Sequence, residues 1–438
     1  MNPKLSSQLN FAKVLKLSSL TLALGAMSSM SFAADSDEIA QLRAEIQELR
    51  SLVQQQGQQL AAQRSAPPVA PPSHVQHHAH SASTAIKVDA QDLKITTKKG
   101  AEVDLYGFVR GDANYIIEGA DDDFNSVASS DGATQDKLRA TAKVTRFGLD
   151  FSSPIAGQKV GGKVEVDFAR AAENLRIRHA YLTFNNWLFG QTTSNFLSNH
   201  APEMIDFETN IGGGISRIPQ VRYSHNLAPT TQIVLAAEEG NSSATGATAK
   251  YKLPVLTAKL NQGFAEGKGN VSVRALAERY EAEDNNDSDE TAWGVAAGAS
   301  FQVADPLRLT ADVSHVEGNS NYLYGANTAF AVDANGDLAQ NEFNAFQVGA
   351  TYKILPNLRS TIAYGAMFAD DDSEYATLNP AGNKEVEQAW INFIYSPVQP
   401  VDLGIEYING KRERFAPNAD GETKFKDNRV GVMARYNF

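Results

Sequence analysis

From Glu102 to the C-terminus, apolar and polar side chains alternate with a period of two, broken at intervals by turn residues. In the last segment Val430, Val432, Ala434, Tyr436 and Phe438 fall on one side. Arg429, Gly431, Met433, Arg435 and Asn437 fall on the other. That period is the signature of a strand with one apolar and one polar face. The same pattern predicts ascending strands at 103–116, 159–170, 187–192, 230–238, 270–280, 307–316, 358–368 and 401–410. Returning strands are predicted at 138–151, 175–184, 218–226, 252–264, 291–302, 343–353, 386–396 and 427–438. Pro254 and a parity change ahead of Arg146 mark expected bulges.

Strand parity alone fits a soluble sandwich or a membrane barrel. The connections separate them. Short turns such as Asn185-Asn186, Asp305-Pro306 and Leu355-Pro356-Asn357 alternate with long acidic stretches such as Glu281 to Glu290 and Val316 to Glu342. A sandwich has no reason for strict alternation, whereas outer-membrane barrels join strands by short periplasmic turns and long external loops. The expected fold is therefore all-β, a sixteen-stranded antiparallel transmembrane β-barrel over 101–438. The last strand would close on the first, with Val103, Leu105, Val109, Ala113 and Tyr115 facing lipid. Closure removes both sheet edges, which a bilayer does not tolerate.

Upstream, Lys4, Lys13 and Lys16 precede an apolar run from Leu17 and the small-residue site Ser31-Phe32-Ala33, so 1–33 reads as a signal peptide. Residues 34–64 read as a coiled coil, with core positions Ile39, Leu42, Ile46, Leu49, Val53 and Leu60 spaced three and four apart. That core composition by itself favours two strands. Residues 65–100 are an expected linker, opened by Pro67-Pro68 and Pro71-Pro72. His74, His77, His78 and His80 sit within it without a folded frame, so no metal and no cofactor is expected.

The chain has no cysteine, and loss of the signal peptide's lysines deepens the formal charge from −12 to −15. An acidic total argues against a nucleic-acid partner. No Ser-His-Asp set, carboxylate pair or phosphate loop stands out, so no enzyme is expected. Basic residues inside strands must face the lumen, because a Lys or Arg at the lipid midplane costs roughly 2–4 kcal/mol. Parity places Arg110, Arg146, Arg176, Arg178, Arg222 and Arg429 inward, with Lys163, Arg359 and Arg435, against fewer inward acids such as Glu165 and Asp167. Closure would gather Arg429, Arg435, Arg110, Arg146, Lys163, Arg176 and Arg178 into one positive wall, and rings of basic side chains select anions. Some of these cations would only neutralise lumen acids, as Arg176 or Lys163 with Glu165. After the fifth strand, Ser194 to Arg217 forms a long excursion carrying Glu203, Asp206 and Glu208 ahead of Gly212-Gly213-Gly214. It is expected to fold inward and narrow the pore.

Val103-Asp104-Leu105-Tyr106-Gly107, Thr145-Arg146-Phe147-Gly148-Leu149, Arg178-His179-Ala180-Tyr181-Leu182-Thr183-Phe184 and the terminal Arg435-Tyr436-Asn437-Phe438 are similar to general porin signatures. With the heptads and proline-rich linker ahead of them, the chain resembles the DcaP-like porins. The resemblance implies a homotrimer of sixteen-stranded barrels in the bacterial outer membrane, with a three-stranded coiled coil in the periplasm. It also implies uptake of small dicarboxylates and related anions. Two other readings stay open: a general diffusion porin with weak anion bias, and a structural protein tethered by its coil to peptidoglycan or a periplasmic partner.

Overall fold

A computed structural model of the chain describes residues 87–89, 94–96, 100–283 and 288–438. The expected signal peptide, the coiled-coil core from Ile39 to Leu60 and the histidines of the linker lie outside the described residues. Within the expected linker, Lys87–Asp89 and Lys94–Thr96 pair as a small antiparallel hairpin, and the second of them pairs with the start of the first barrel strand.

Sixteen strands form the barrel, and the short strands at 87–96 stay outside this numbering. They are β1 Glu102–Gly119, β2 Thr134–Thr141 continued by Arg146–Ile155, β3 Gln158–Asp167, β4 Arg176–Phe184, β5 Trp187–Thr193, β6 Arg217–Ala228, β7 Thr231–Glu238 and β8 Ala249–Tyr251 continued by Val255–Phe264. The second half is β9 Gly269–Ala282, β10 Asp289–Ala304, β11 Leu307–Glu317, β12 Glu342–Leu355, β13 Leu358–Ala369, β14 Asn383–Tyr395, β15 Val401–Arg414 and β16 Lys424–Asn437. Neighbours are antiparallel throughout, and β16 closes on β1 with Val430 opposite Tyr115 and Arg435 opposite Arg110. The two interrupted strands fall at the two expected irregularities: the parity change before Arg146 and the proline at 254.

The alternation sorts the two faces as a bilayer requires. Val109, Val432, Val313 and Ile362 are exposed on the outside, while Arg110, Asp112 and Asn114 on the same β1 strand are buried inside. Among the described residues, no helix is long and apolar enough to cross a membrane, a test that does not concern strands.

The lumen is not an open tube. External loop L1 (120–133), L3 (194–216) and L6 (318–341) turn inward and build an apolar core inside the barrel. Val127, Phe196, Leu197, Ile211, Tyr322 and Leu323 pack there against wall residues including Phe343, Met367 and Val386. Burial of that apolar surface holds the loops down. Beside that core a cavity remains, lined from β2, β4, β6 and β16.

Candidate functional site

L3 is fastened where it leaves the wall, where it crosses the lumen and where it returns. At its start, Ser194 Oγ and Asn195 N donate to the buried carboxylate of Glu238 at 2.7 Å each. Lys259 Nζ and Arg274 Nη1 then donate to the carbonyls of Leu197 and Phe196, at 2.7 and 3.1 Å. On the far wall Glu406 accepts the amides of Ile205 and Asp206, at 2.9 and 2.8 Å. Trp390 Nε1 and Asn392 Nδ2 donate to the carbonyl of Glu203. The glycine triplet serves the return leg. A Cβ at Gly212, whose φ is +81°, would run into the carbonyl of Phe346, and one at Gly214 into that of Tyr322.

Between L3 and the barrel wall lies a cavity of about 940 Å³. Arg146, Arg176, Arg178 and Arg217 line one side, and Glu203, Met204, Phe207 and Glu208 of L3 line the other. Lys143 and Arg170 stand among the lining residues nearest the loops.

The basic side is partly neutralised from behind. Arg178 donates from Nε to Glu165 and from Nη1 to Asp167, both at 2.7 Å. Arg176 grips Asp167 through two bonds of 2.9 and 2.8 Å. Arg146 lies 3.5 Å from Glu165, without a hydrogen bond from its Nε. Its guanidinium also faces two rings, 5.0 Å from the centroid of Phe108 and 5.8 Å from that of Phe207. Four guanidiniums against two carboxylates leave this wall positive. On the loop side, Glu203 is held bidentately by Arg359 at 2.7 and 2.8 Å, and Glu208 accepts from the Tyr324 hydroxyl at 2.9 Å. Burial pushes the Glu208 carboxyl above its ordinary range.

Arg146, Arg176 and Arg178 thus line the cavity as the alternation indicates, and Glu203 and Glu208 stand across from them. Three expectations are corrected. Arg110 is 1% exposed, pairs with Asp112 at 2.6 Å and donates to the carbonyl of Ile205, so it lies beneath L3 instead of facing water. Arg429 is wholly buried, paired with Asp427 and donating to the carbonyls of Ala120 and Asp122, which makes it an anchor for L1. Asp206 is also buried, on the hidden side of L3, where its carboxylate accepts the amide of Asn125 in L1 at 2.7 Å. For Arg110 and Arg429 alternation gives the direction of the side chain but not the loop that covers it, and for Asp206 the spacing within a loop does not say which side of L3 it takes. Arg222 is half-buried outside this cavity, donating to Gln220 and to the carbonyl of Thr193. Of the expected neutralising pairs, Arg176 takes Asp167 and Lys163 takes Asp150, at 3.1 Å.

Sequence reasoning missed Arg217, Arg170, Lys143 and Phe207. Arg217 shares its parity with Pro219 and Val221, both exposed on the outer surface, yet it lines the cavity. It is the first residue of β6, where the chain is still turning out of L3. Among the described residues, no group of three or more His, Cys, Asp or Glu side chains could hold a metal.

The geometry of a closed barrel narrowed by an inward loop has close counterparts. A family model described as DcaP outer membrane protein matches residues 79–438. The crystal structure of the outer membrane channel DcaP of Acinetobacter baumannii is similar at 62% identity and TM-score 0.75, covering 78% of this chain and 99% of that one. The loop L8 deletion mutant of OmpT of Vibrio cholerae aligns at 15% identity and TM-score 0.52, over 77% and 99% of the two chains. An anion-selective porin from Comamonas acidovorans aligns at 11% identity and TM-score 0.52, over 77% and 100%. These last two share the fold alone. No curated protein matches. The chain belongs to the DcaP outer membrane protein family and is an outer-membrane channel of the porin type.

Proposed function

We propose that the channel takes up small dicarboxylic acids and related anions by passive, anion-preferring diffusion, as a homotrimer with its coiled coil in the periplasm. The observation that carries the anion preference is the cavity beside L3, where basic side chains, Arg146, Arg176, Arg178 and Arg217 among them, outnumber the acidic ones on the lining. A fixed positive wall in a low-dielectric enclosure concentrates anions and repels cations. Bidentate geometry suits carboxylates in particular, because a guanidinium edge matches two carboxylate oxygens. The dicarboxylate class, the trimer and the coil's place rest on the family resemblance. Reversal potentials across planar bilayers under a salt gradient test the preference. Anion preference supports the reading, and cation preference in the native channel ends it.

One observation favours a milder reading, a general diffusion porin with weak anion bias. Arg176 and Arg178 already hold wall carboxylates, which lowers their attraction for a passing anion. Competition of chloride current by succinate separates the two, since a pore with no preference for diacids shows no block.

A further inference from the structure

The positive charge in the cavity is unevenly available. Arg176 and Arg178 are tied to Asp167 and Glu165 through hydrogen bonds of 2.7 to 2.9 Å. Arg435, also on the lining, is tied to Asp402 at 2.6 Å, and Lys143 to Asp123 at 2.9 Å. Arg217 differs. Its guanidinium donates from Nη1 to the carbonyl of Ile215, 3.0 Å away, and no carboxylate among the described residues pairs with it. Its Nε is buried and lacks a hydrogen-bond partner. Arg146 lines the same cavity with its Nε 3.5 Å from Glu165 but not hydrogen-bonded to it, and its guanidinium lies 5.0 and 5.8 Å from the ring centroids of Phe108 and Phe207.

We propose that Arg217, together with Arg146, is the seat at which a carboxylate pauses in the pore, while Arg176 and Arg178 chiefly shape and charge the wall. The inference rests on the anion-preferring reading and adds a residue that strand parity assigns to the wrong face. Arg217 opens β6 directly after L3, so the return of the inward loop also positions the donor. A seat formed by two guanidinium edges accepts a planar two-oxygen anion better than a spherical one. Binding there must remain weak enough for release, so it shows as saturation of current and not as permanent block.

The test uses the full-length channel in planar bilayers with sodium succinate as the probe, read as current against concentration and as reversal potential. Native channels are expected to saturate. Arg217→Gln should raise the half-saturating succinate concentration about tenfold while the reversal potential stays on the anion side, as expected for loss of one good contact. Arg217→Lys should keep the native reversal potential yet saturate as poorly as the glutamine variant, because lysine retains the charge without the fork. If Arg217→Gln does not yield the heat-modifiable folded form on gels, the lysine variant decides alone. Native-like saturation in either variant overturns the seat, as does absence of saturation in the native channel. A native channel that prefers cations overturns the broader reading instead, so the two failures are distinguishable.

Discussion

The Nε of Arg178 lies 2.7 Å from Oε1 of Glu165, in a wall where that arginine is only 8% exposed. The same guanidinium also reaches Asp167. Removing it leaves one net positive charge fewer and uncovers two carboxylates at the narrow part of the path. Arg178→Gln should therefore move the reversal potential towards cations. Glu165→Gln should move it the other way, with Arg146 and Arg178 both released. Reversal potentials of the two variants under one salt gradient check the pair. Shifts of the same sign would show that these groups do not set the field in the path.

The loop side offers the complementary change. Glu203 brings a carboxylate to the cavity, and Arg359 holds it through three contacts of 2.7 to 3.1 Å. Glu203→Gln should increase anion preference, since it deletes a negative charge on the lining and frees a guanidinium. Both partners are about a third exposed, so the stability effect should be small, less than about 1 kcal/mol. Ion selectivity and thermal unfolding measured on one preparation check the two halves of this expectation.

Glu406 is the joint between L3 and the far wall. It accepts the Ile205 and Asp206 amides and the Asn392 side chain. Glu406→Ala strands these donors at about 1–3 kcal/mol each, enough to bias the middle of L3 away from the wall. The barrel ladder does not depend on the contact and should persist. The expected outcome is larger, noisier single-channel conductance with new protease cleavage between 200 and 212. Unchanged conductance and cleavage would show that other fastenings hold L3 without it.

These contacts show what was legible beforehand and what was not. The barrel was, because each strand repeats one physical rule, apolar out and polar in, and sixteen repetitions leave little room for another fold. L3 was, because it is the long connection between β5 and β6 at the third external position that the alternation of turns and loops provides. Burial inside the lumen was not. Arg110 and Arg429 point inward as their parity requires, but Ile205 of L3 and Ala120 of L1 cover them. Long-range loop contacts leave no mark in local spacing. Arg217 failed in the opposite sense, since parity describes a regular strand and the residue stands where the strand has just begun.

Asp206 gives L3 a pH dependence. Burial pushes its carboxyl up to about 7, against the opposing pull of Arg429 and of the Asn125 amide, while Glu208 nearby adds to the rise. An acid whose folded value is raised stabilises the docked loop fully below its unfolded value. That contribution is lost as pH rises through about 7. The docked state should therefore weaken as pH rises from the ordinary carboxylate range near 4 to about 7, and change little above that. Asp206→Asn cannot titrate and can still accept the Asn125 amide, so it should flatten the profile and favour docking at pH 8. Protease susceptibility of L3 across that interval is the measurement. A native profile that does not change, or one that loosens towards acid, would exclude Asp206 as the titrating group.

The assignment of faces, on which the whole account of the lumen depends, has a direct test on the lipid side. Val432 of β16 points outward, 45% exposed, with Ile405 and Ala113 opposite it on the neighbouring strands. Met433, the next residue, points inward and is buried against Ile205 of L3. Val432→Arg should place a guanidinium near the middle of the bilayer and cost about 2–4 kcal/mol in folding into lipid vesicles. It should leave ion selectivity in any folded channel unchanged, because the new charge lies outside the lumen. Met433→Arg should do the reverse: it disturbs the seat of L3 and alters conductance and selectivity, while the lipid-facing surface stays apolar. Equal effects of the two substitutions on selectivity would mean that the strand does not separate lipid from water, and the arginine wall would lose its place.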